Sequence, residues 1–142
     1  MKKTIFFDSY YELLNNKINI VDRNLLINIA SLINDTNDRH GKVIIIGNGG
    51  SAAIASHLSI DLTKASKIRS VNFNESSLLT CFSNDYGYEH WAEKAIEFYA
   101  DKYDLVILIS SSGESQNIIN CAIKAKSMGL HVITLSGFMS GN

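Results

Sequence analysis

Proline is absent from this chain of 142 residues, and with it goes the usual make-up of a stiff linker or a proline-rich recognition tract. No low-complexity tract or internal repeat takes its place, so no linker is expected. Cysteine is nearly absent as well. Cys81 and Cys121 stand far apart, in neither a CxxC pair nor a Cys/His ligand spacing, which argues against a disulfide scaffold and a zinc finger. They read as small buried side chains of a protein kept in a reducing compartment. An excess of one charge is missing too: 13 Lys+Arg against 14 Asp+Glu leave a net charge of −1, with no basic field for nucleic acid and no acidic tail. No apolar run approaches the ~18 residues of a membrane span. Ile5-Phe6-Phe7, after Met1-Lys2-Lys3, is cut off by Asp8-Ser9, too short for the apolar segment of a signal peptide. These absences predict a cytoplasmic domain whose partner is a small molecule or a protein, with no nucleic acid and no membrane. A chain of this size buries roughly two-thirds of its unfolded surface, enough to fold without a metal or a disulfide.

What is present is an alternation of strand and helix patterns. Two helical stretches lead. A short one is expected around residues 9–17, and a second starts at Asp22 as N-cap with an apolar stripe at Leu26, Ile29, Ala30 and Ile33, ending by Gly41. Then come a strand at 43–46, a helix at 51–65, a strand at 68–73, a helix or turn at 76–82 and a polar loop at 83–88. A helix at 89–102, a strand at 105–109, a loop at 110–115, a helix at 116–128 and a strand at 131–135 complete the pattern. The order implies an α/β fold: a doubly wound parallel sheet covered on both faces, with right-handed crossovers and ligands near the strands' carboxyl ends. The domain reading is residues 1–40 as leading helices that pack on the sheet or on another subunit, and 41–142 as the sheet domain.

Two loops carry chemistry. Gly47-Asn48-Gly49-Gly50-Ser51 follows an apolar strand and opens a helix, so its glycines let backbone approach a ligand and the helix offers unpaired N–H groups to an anion. Ser110-Ser111-Ser112-Gly113-Glu114-Ser115 repeats the arrangement with hydroxyls, which donate to a phosphate without a cation. One serine-rich turn alone reads equally as helix capping; two in one sheet point to a phosphorylated ligand. Neither matches GxxxxGK[ST] or GxGxxG, which argues against a nucleoside triphosphatase and a dinucleotide fold. His57 and Asp61 lie four apart on one helix face. They read either as a solvated pair, or as metal ligands with Asp61 a general base, and a metal would need a further ligand. Asp85, in the loop at 83–88, either grips sugar hydroxyls or forms an Asx turn. Trp91 and Tyr99 read as core or interface, and His131 as structural.

Taken together, Gly47-Asn48-Gly49-Gly50-Ser51, His57-x-x-x-Asp61-Leu62, Asn84-Asp85-Tyr86-Gly87 and Ser111-Ser112-Gly113-x-Ser115 resemble, in order and spacing, the SIS (sugar isomerase) domain, specifically its phosphoheptose isomerase group. The resemblance runs from about Asp22 to the C-terminus. It implies a flavodoxin-like three-layer sandwich with five parallel strands, and a homotetramer using the leading helices. The implied reaction is conversion of sedoheptulose 7-phosphate to D-glycero-D-manno-heptose 7-phosphate for heptose-containing glycans such as lipopolysaccharide or capsule. By the same resemblance Asn48, Gly49, Gly50, Ser51, Asp85, Ser110, Ser111, Ser112 and Ser115 bind substrate. His57 and Asp61 hold one zinc per subunit, and Asp61 is the catalytic acid/base.

The chain departs from the pattern at three places. Asp61 stands where the family usually has Glu, a carboxylate one methylene longer, and a displacement of roughly 1 Å at a reacting group can cost ~10²-fold in rate. Ala65 stands where relatives often carry Arg. The family's final strand and helix, which bring a Gln metal ligand and a second acid/base His, are expected to be lacking. A second reading follows from these departures: a non-catalytic SIS protein that binds the replication initiator or senses a sugar phosphate.

Overall fold

In a computed structural model of the chain, residues 2–138 are described. Two stretches, VIIIG and LVILI, are buried at all five of their positions, as strands covered on both faces must be. They form β1 (Val43–Gly47) and β3 (Leu105–Ile109); with β2 (Ser70–Asn72) and β4 (His131–Leu135) they make a parallel sheet of order β2-β1-β3-β4. The helices are α1 (Lys2–Asn19), α2 (Arg23–Asp38), α3 (Gly50–Lys64), α4 (Ser76–Tyr86), α5 (Trp91–Tyr99) and α6 (Gln116–Ser127). β1 and β3 pair in register over five residues, from Val43 opposite Leu105 to Gly47 opposite Ile109. β2 lies on the other side of β1, so the strand order reverses between β1 and β3. That reversal is where open α/β sheets place ligands.

The chain divides into two compact units, Met1–Ala30 and Ser31–Asn142. In the first, nothing in α1 breaks a helix, which therefore runs well beyond the short stretch at 9–17 expected from the pattern. The Asp22 carboxylate caps α2 by accepting the Asn24 N–H at 2.8 Å. Phe6, Ile18, Leu26 and Ile27 are each more than half exposed. In the second unit the sheet is sandwiched. Ile44, Ile46, Val106 and Leu108 meet Trp91, Ala95 and Ile96 of α5 and Ile118, Cys121 and Ala125 of α6 in one cluster. Because side chains alternate along a strand, Ile45 and Ile107 face the other way, and there α3 packs on β1 and β2. Each such side chain, when fully buried, is worth roughly 1.5–3 kcal/mol, so the sheet and its two covers hold this unit.

Further expectations need correction, beginning with the strand at 68–73, of which only Ser70–Asn72 pairs with β1. The loop at 83–88 is mostly helix: with no glycine or proline before Gly87, and with Leu78, Leu79 and Phe82 packed on the core, α4 continues to Tyr86 and stops where Gly87 takes φ 90°. The helix expected at 89–102 is shorter, since His90 caps it and Ala100 has already turned extended. Cys81 is exposed; only Cys121 is buried, where burial pushes its thiol up to about 12.

At the amino ends of β1 and β3 a buried ion pair holds the strands level. The Asp104 carboxylate, 1% exposed, accepts the Lys42 N–H at 2.8 Å, the Lys42 ammonium at 2.6 Å and the Asp101 N–H at 2.8 Å. The same ammonium donates to Asp101 at 2.7 Å. Burial alone would lower the Lys42 pKa, but the hydrogen bonds and charges of Asp101 and Asp104 outweigh it and hold the group above its ordinary value. Lys42→Met is therefore expected to cost about 3 kcal/mol near pH 7, by leaving a buried carboxylate without its cation. The ammonium's contribution is complete below the ordinary lysine value of 10.5 and disappears as pH rises through the higher folded value. Urea unfolding at neutral and alkaline pH checks both points: wild type should lose more stability than Lys42→Met between the two, and equal losses would refute the assignment.

Candidate functional site

The chain leaves β1 at Gly47 and β3 at Ile109, which are paired neighbours, so the two loops noted in the sequence start side by side. Gly47 has no room for a side chain: a Cβ there would lie 2.7 Å from the Ser51 backbone. Gly49 takes φ 54°, a left-handed conformation that glycine adopts cheaply. The sharp turn starts α3 at Gly50, with Ser51 N–H donating to Asn48 O at 2.9 Å. No side chain caps α3 or α6. By contrast α4 is capped by the Glu75 carboxylate, which accepts the Ser77 and Leu78 N–H groups at 2.9 Å and whose pKa those bonds lower. The Ser51, Ala52 and Ile118 N–H groups bond within their own turns, so what the first turns of α3 and α6 keep for an anion is the N–H groups of Gly50, Gln116 and Asn117 and the positive dipole end.

One contact fixes the crevice between these loops. Asn48 and Asn117 form a reciprocal amide pair, each Nδ2 donating to the other's Oδ1 at 2.9 Å. The Tyr88 hydroxyl donates to the Asn48 Oδ1 at 3.2 Å. Asn117 is 3% exposed, so its amide is committed to this pair and ties the first turn of α6 to the loop after β1. Sequence reasoning missed Asn117 and Tyr88. An amide beside Ile118, at the start of a helix that follows the serine loop, was the available signal.

The serines divide by task. Ser110 is buried; its hydroxyl accepts the Gly113 N–H at 3.2 Å and donates to the Ser115 Oγ at 3.4 Å. Ser112 Oγ accepts the Glu114 N–H at 3.1 Å. These bonds shape the loop. The Ser111 carbonyl anchors the segment after β4 by accepting from Gly137 at 2.9 Å and Phe138 at 3.2 Å, while its side chain is exposed.

His57, Asp61 and Asp85 are not gathered there. His57 Nε2 and Asp61 Oδ2 are 3.6 Å apart on the exposed face of α3. Counted along the helix from Gly50, they lie about 10 and 16 Å away at 1.5 Å per residue. Asp85 is exposed in the last turn of α4, where it accepts from the Asn84 amide at 3.0 Å and faces the Cys81 thiol at 3.7 Å. No hydrogen bond links any of the three to the crevice among the described residues. An imidazole and a carboxylate are suitable zinc donors, but a site needs at least three protein ligands. Among the described residues no cluster of three His, Cys, Asp or Glu is placed to hold a metal ion. The residues described do not make a complete zinc site.

A profile of the SIS domain matches residues 6–137. The chain belongs to the SIS domain family. It is 36% identical over 135 residues to the phosphoheptose isomerase of Histophilus somni, covering 92% of this chain and 68% of that protein. It is 37% identical over 112 residues to the Helicobacter pylori phosphoheptose isomerase, covering 75% of this chain and 58% of that one. The structure of phosphoheptose isomerase from Neisseria gonorrhoeae superposes with a TM-score of 0.88 at 29% identity, over 99% of this chain and 76% of that one. The chain thus spans roughly three-fifths to two-thirds of the length of these two curated relatives.

In this SIS fold the crevice offers helix N-termini, hydroxyls, among them the Tyr88 phenol, and a fixed amide, all hydrogen-bonding groups. A phosphate held there would gain charge-assisted bonds, which are about twice as strong as neutral ones. If the Asn48–Asn117 pair joins the loops, each single alanine substitution should cost about 1–3 kcal/mol in unfolding free energy, because the surviving amide loses its partner. The double substitution should cost clearly less than the sum, by roughly 0.5–3 kcal/mol. Strict additivity in denaturant unfolding would show that the pair is not coupled. Gly47→Ala is expected to destabilise by about 1–3 kcal/mol through the clash with Ser51, measured in the same assay.

Proposed function

We propose that this chain carries the sugar-phosphate-binding part of a phosphoheptose isomerase, an enzyme that interconverts sedoheptulose 7-phosphate and D-glycero-D-manno-heptose 7-phosphate. The observation that carries the reading is the crevice at the β1/β3 switch point, floored by two uncapped helix N-termini and locked by Asn48 and Asn117. The named relatives supply the reaction. The phosphate is held by the first turn of α6 and by Ser111 and Ser115, with Ser110 and Ser112 keeping the loop in shape. Ser51, Gly49 and Gly50 complete the cradle, and Asn48 and Asp85 meet sugar hydroxyls.

The chemistry is a proton transfer between adjacent carbons. A carboxylate removes a proton from the carbon beside the carbonyl to give an enediolate, the hydroxyl proton passes from that carbon's oxygen to the former carbonyl oxygen, and the carboxylate returns its proton to the neighbouring carbon. In this proposal Asp61 is that carboxylate. Its position down α3 requires the reacting end of the sugar to reach away from the phosphate crevice, or requires the crevice of another copy to supply the substrate. The second arrangement agrees with a homotetramer, whose contact surface would be the exposed apolar side chains of Met1–Ala30. A cytoplasmic location and a role in heptose-containing glycan synthesis belong to the same proposal.

Turnover of sedoheptulose 7-phosphate tests it. Ser111→Ala is expected to raise KM by about tenfold while kcat stays within a few-fold, since it removes one hydrogen bond to a charged group. Asp61→Asn is expected to lower kcat by ~10²–10⁴ with binding retained. If wild type binds the sugar phosphate tightly and never converts it, the non-catalytic sensing reading replaces this one.

A further inference from the structure

The amino-terminal edge of the sheet, opposite the crevice, carries a hollow of about 510 Å³ formed by the segments that lead into β3 and β4. Met128 and Leu130 supply an apolar wall; Arg39, Lys102, Tyr103 and His131 supply polar atoms. All of these residues belong to the unit Ser31–Asn142.

Tyr103 is the unusual member. Its φ is 77°, a left-handed conformation that a bulky side chain adopts with strain and that glycine or asparagine takes more easily. The turn demands it. Asp104 N–H donates to Asp101 O at 3.2 Å, and Asp101 N–H returns to the Asp104 carboxylate at 2.8 Å. The chain nevertheless places an aromatic ring there, and strain of this kind is a pointer to function.

The ring gathers positive charge. The Arg39 guanidinium carbon lies 3.8 Å from its centroid and the Lys102 ammonium 4.9 Å. Neither cation has a carboxylate partner among the described residues. The two acids of the hollow, Asp101 and Asp104, are both engaged by Lys42. Lys102, then Arg39, hold the Tyr103 phenol below its ordinary pKa, as expected where the local field is positive.

We propose that this hollow is a second anion site that binds a small phosphorylated molecule, with Arg39, Lys102 and the Tyr103 hydroxyl as its donors. A guanidinium presents a planar fork that fits two phosphate oxygens, and an ammonium adds a point charge. The wall of Met128 and Leu130 receives the uncharged part of the ligand. The site lies at the sheet edge opposite the one that carries the crevice loops, so it is distinct from the crevice and does not depend on the function proposed for it.

Pyrophosphate is the probe, titrated into the full chain in 0.15 M KCl, where weak attraction between exposed charges is screened beyond roughly 8 Å. Calorimetry and backbone amide NMR are expected to report binding with shifts at residues 102–105 and 129–131. Arg39→Gln should weaken that binding about tenfold, as loss of a charge-assisted bond does, and Ser111→Ala should leave it unchanged. Tyr103→Asn separates ligand binding from a purely structural ring. The proposal expects an equal or higher Tm together with weaker binding, whereas a lower Tm with unchanged binding would overturn it. Shifts confined to residues 48–51 and 111–117, or equal affinity in a folded Arg39→Gln, would overturn it too.

Discussion

Everything assigned to the crevice depends on β1 and β3 lying side by side in register. That pairing brings Gly47 and Ile109 level, so two loops far apart in the chain leave the sheet as neighbours. At one end of the pair Lys42 and Asp104 lock the strands; at the other Asn48 and Asn117 lock the loops. Both locks are buried polar contacts whose cost is met only when every partner is present. On the function proposed above, a phosphate cradle built from backbone N–H groups and hydroxyls has little charge to tolerate misplacement, so the rigidity of this frame would set how well it binds.

The same frame sets the two loops apart from the His57–Asp61 pair. Hydrogen-bond donors are concentrated at the β1/β3 reversal, while His57 and Asp61 sit on the exposed face of α3. The Asp61 carboxylate is more than half exposed there, with His57 as its neighbour. On the function proposed above, the site is divided between an anchor for the phosphate at the two loops and an acid/base group on α3 whose surroundings other parts would complete.

Much of the fold was legible because its signals are strong. The runs at 43–47 and 105–109 are too apolar for anything except doubly covered strands, and the glycine and serine loops follow them directly. The stretch at 83–88 misled because Ser, Asn and Asp favour turns, yet Phe82 packs on the core and Gly87 is the first true breaker, so tertiary packing carried α4 onward. Cys81 misled for the converse reason: a small apolar residue type, placed on an outward helix face beside Asp85. Asn117 and Tyr88 were missed because their role is a long-range pairing with Asn48, which the position of an amide at a helix start only hints at. Ser111 and Ser112 were recognisable as a loop, but their difference appears only once Ser112 is seen accepting the Glu114 N–H.

The most direct test of the central claim is to map sedoheptulose 7-phosphate onto the chain by backbone amide NMR. The account predicts that the largest shifts fall on residues 49–52 and 111–117, the two loop-to-helix junctions beside the β1/β3 pair, with little change at residues 102–105. Saturable binding whose shifts lie elsewhere, with both junctions unmoved, would contradict it.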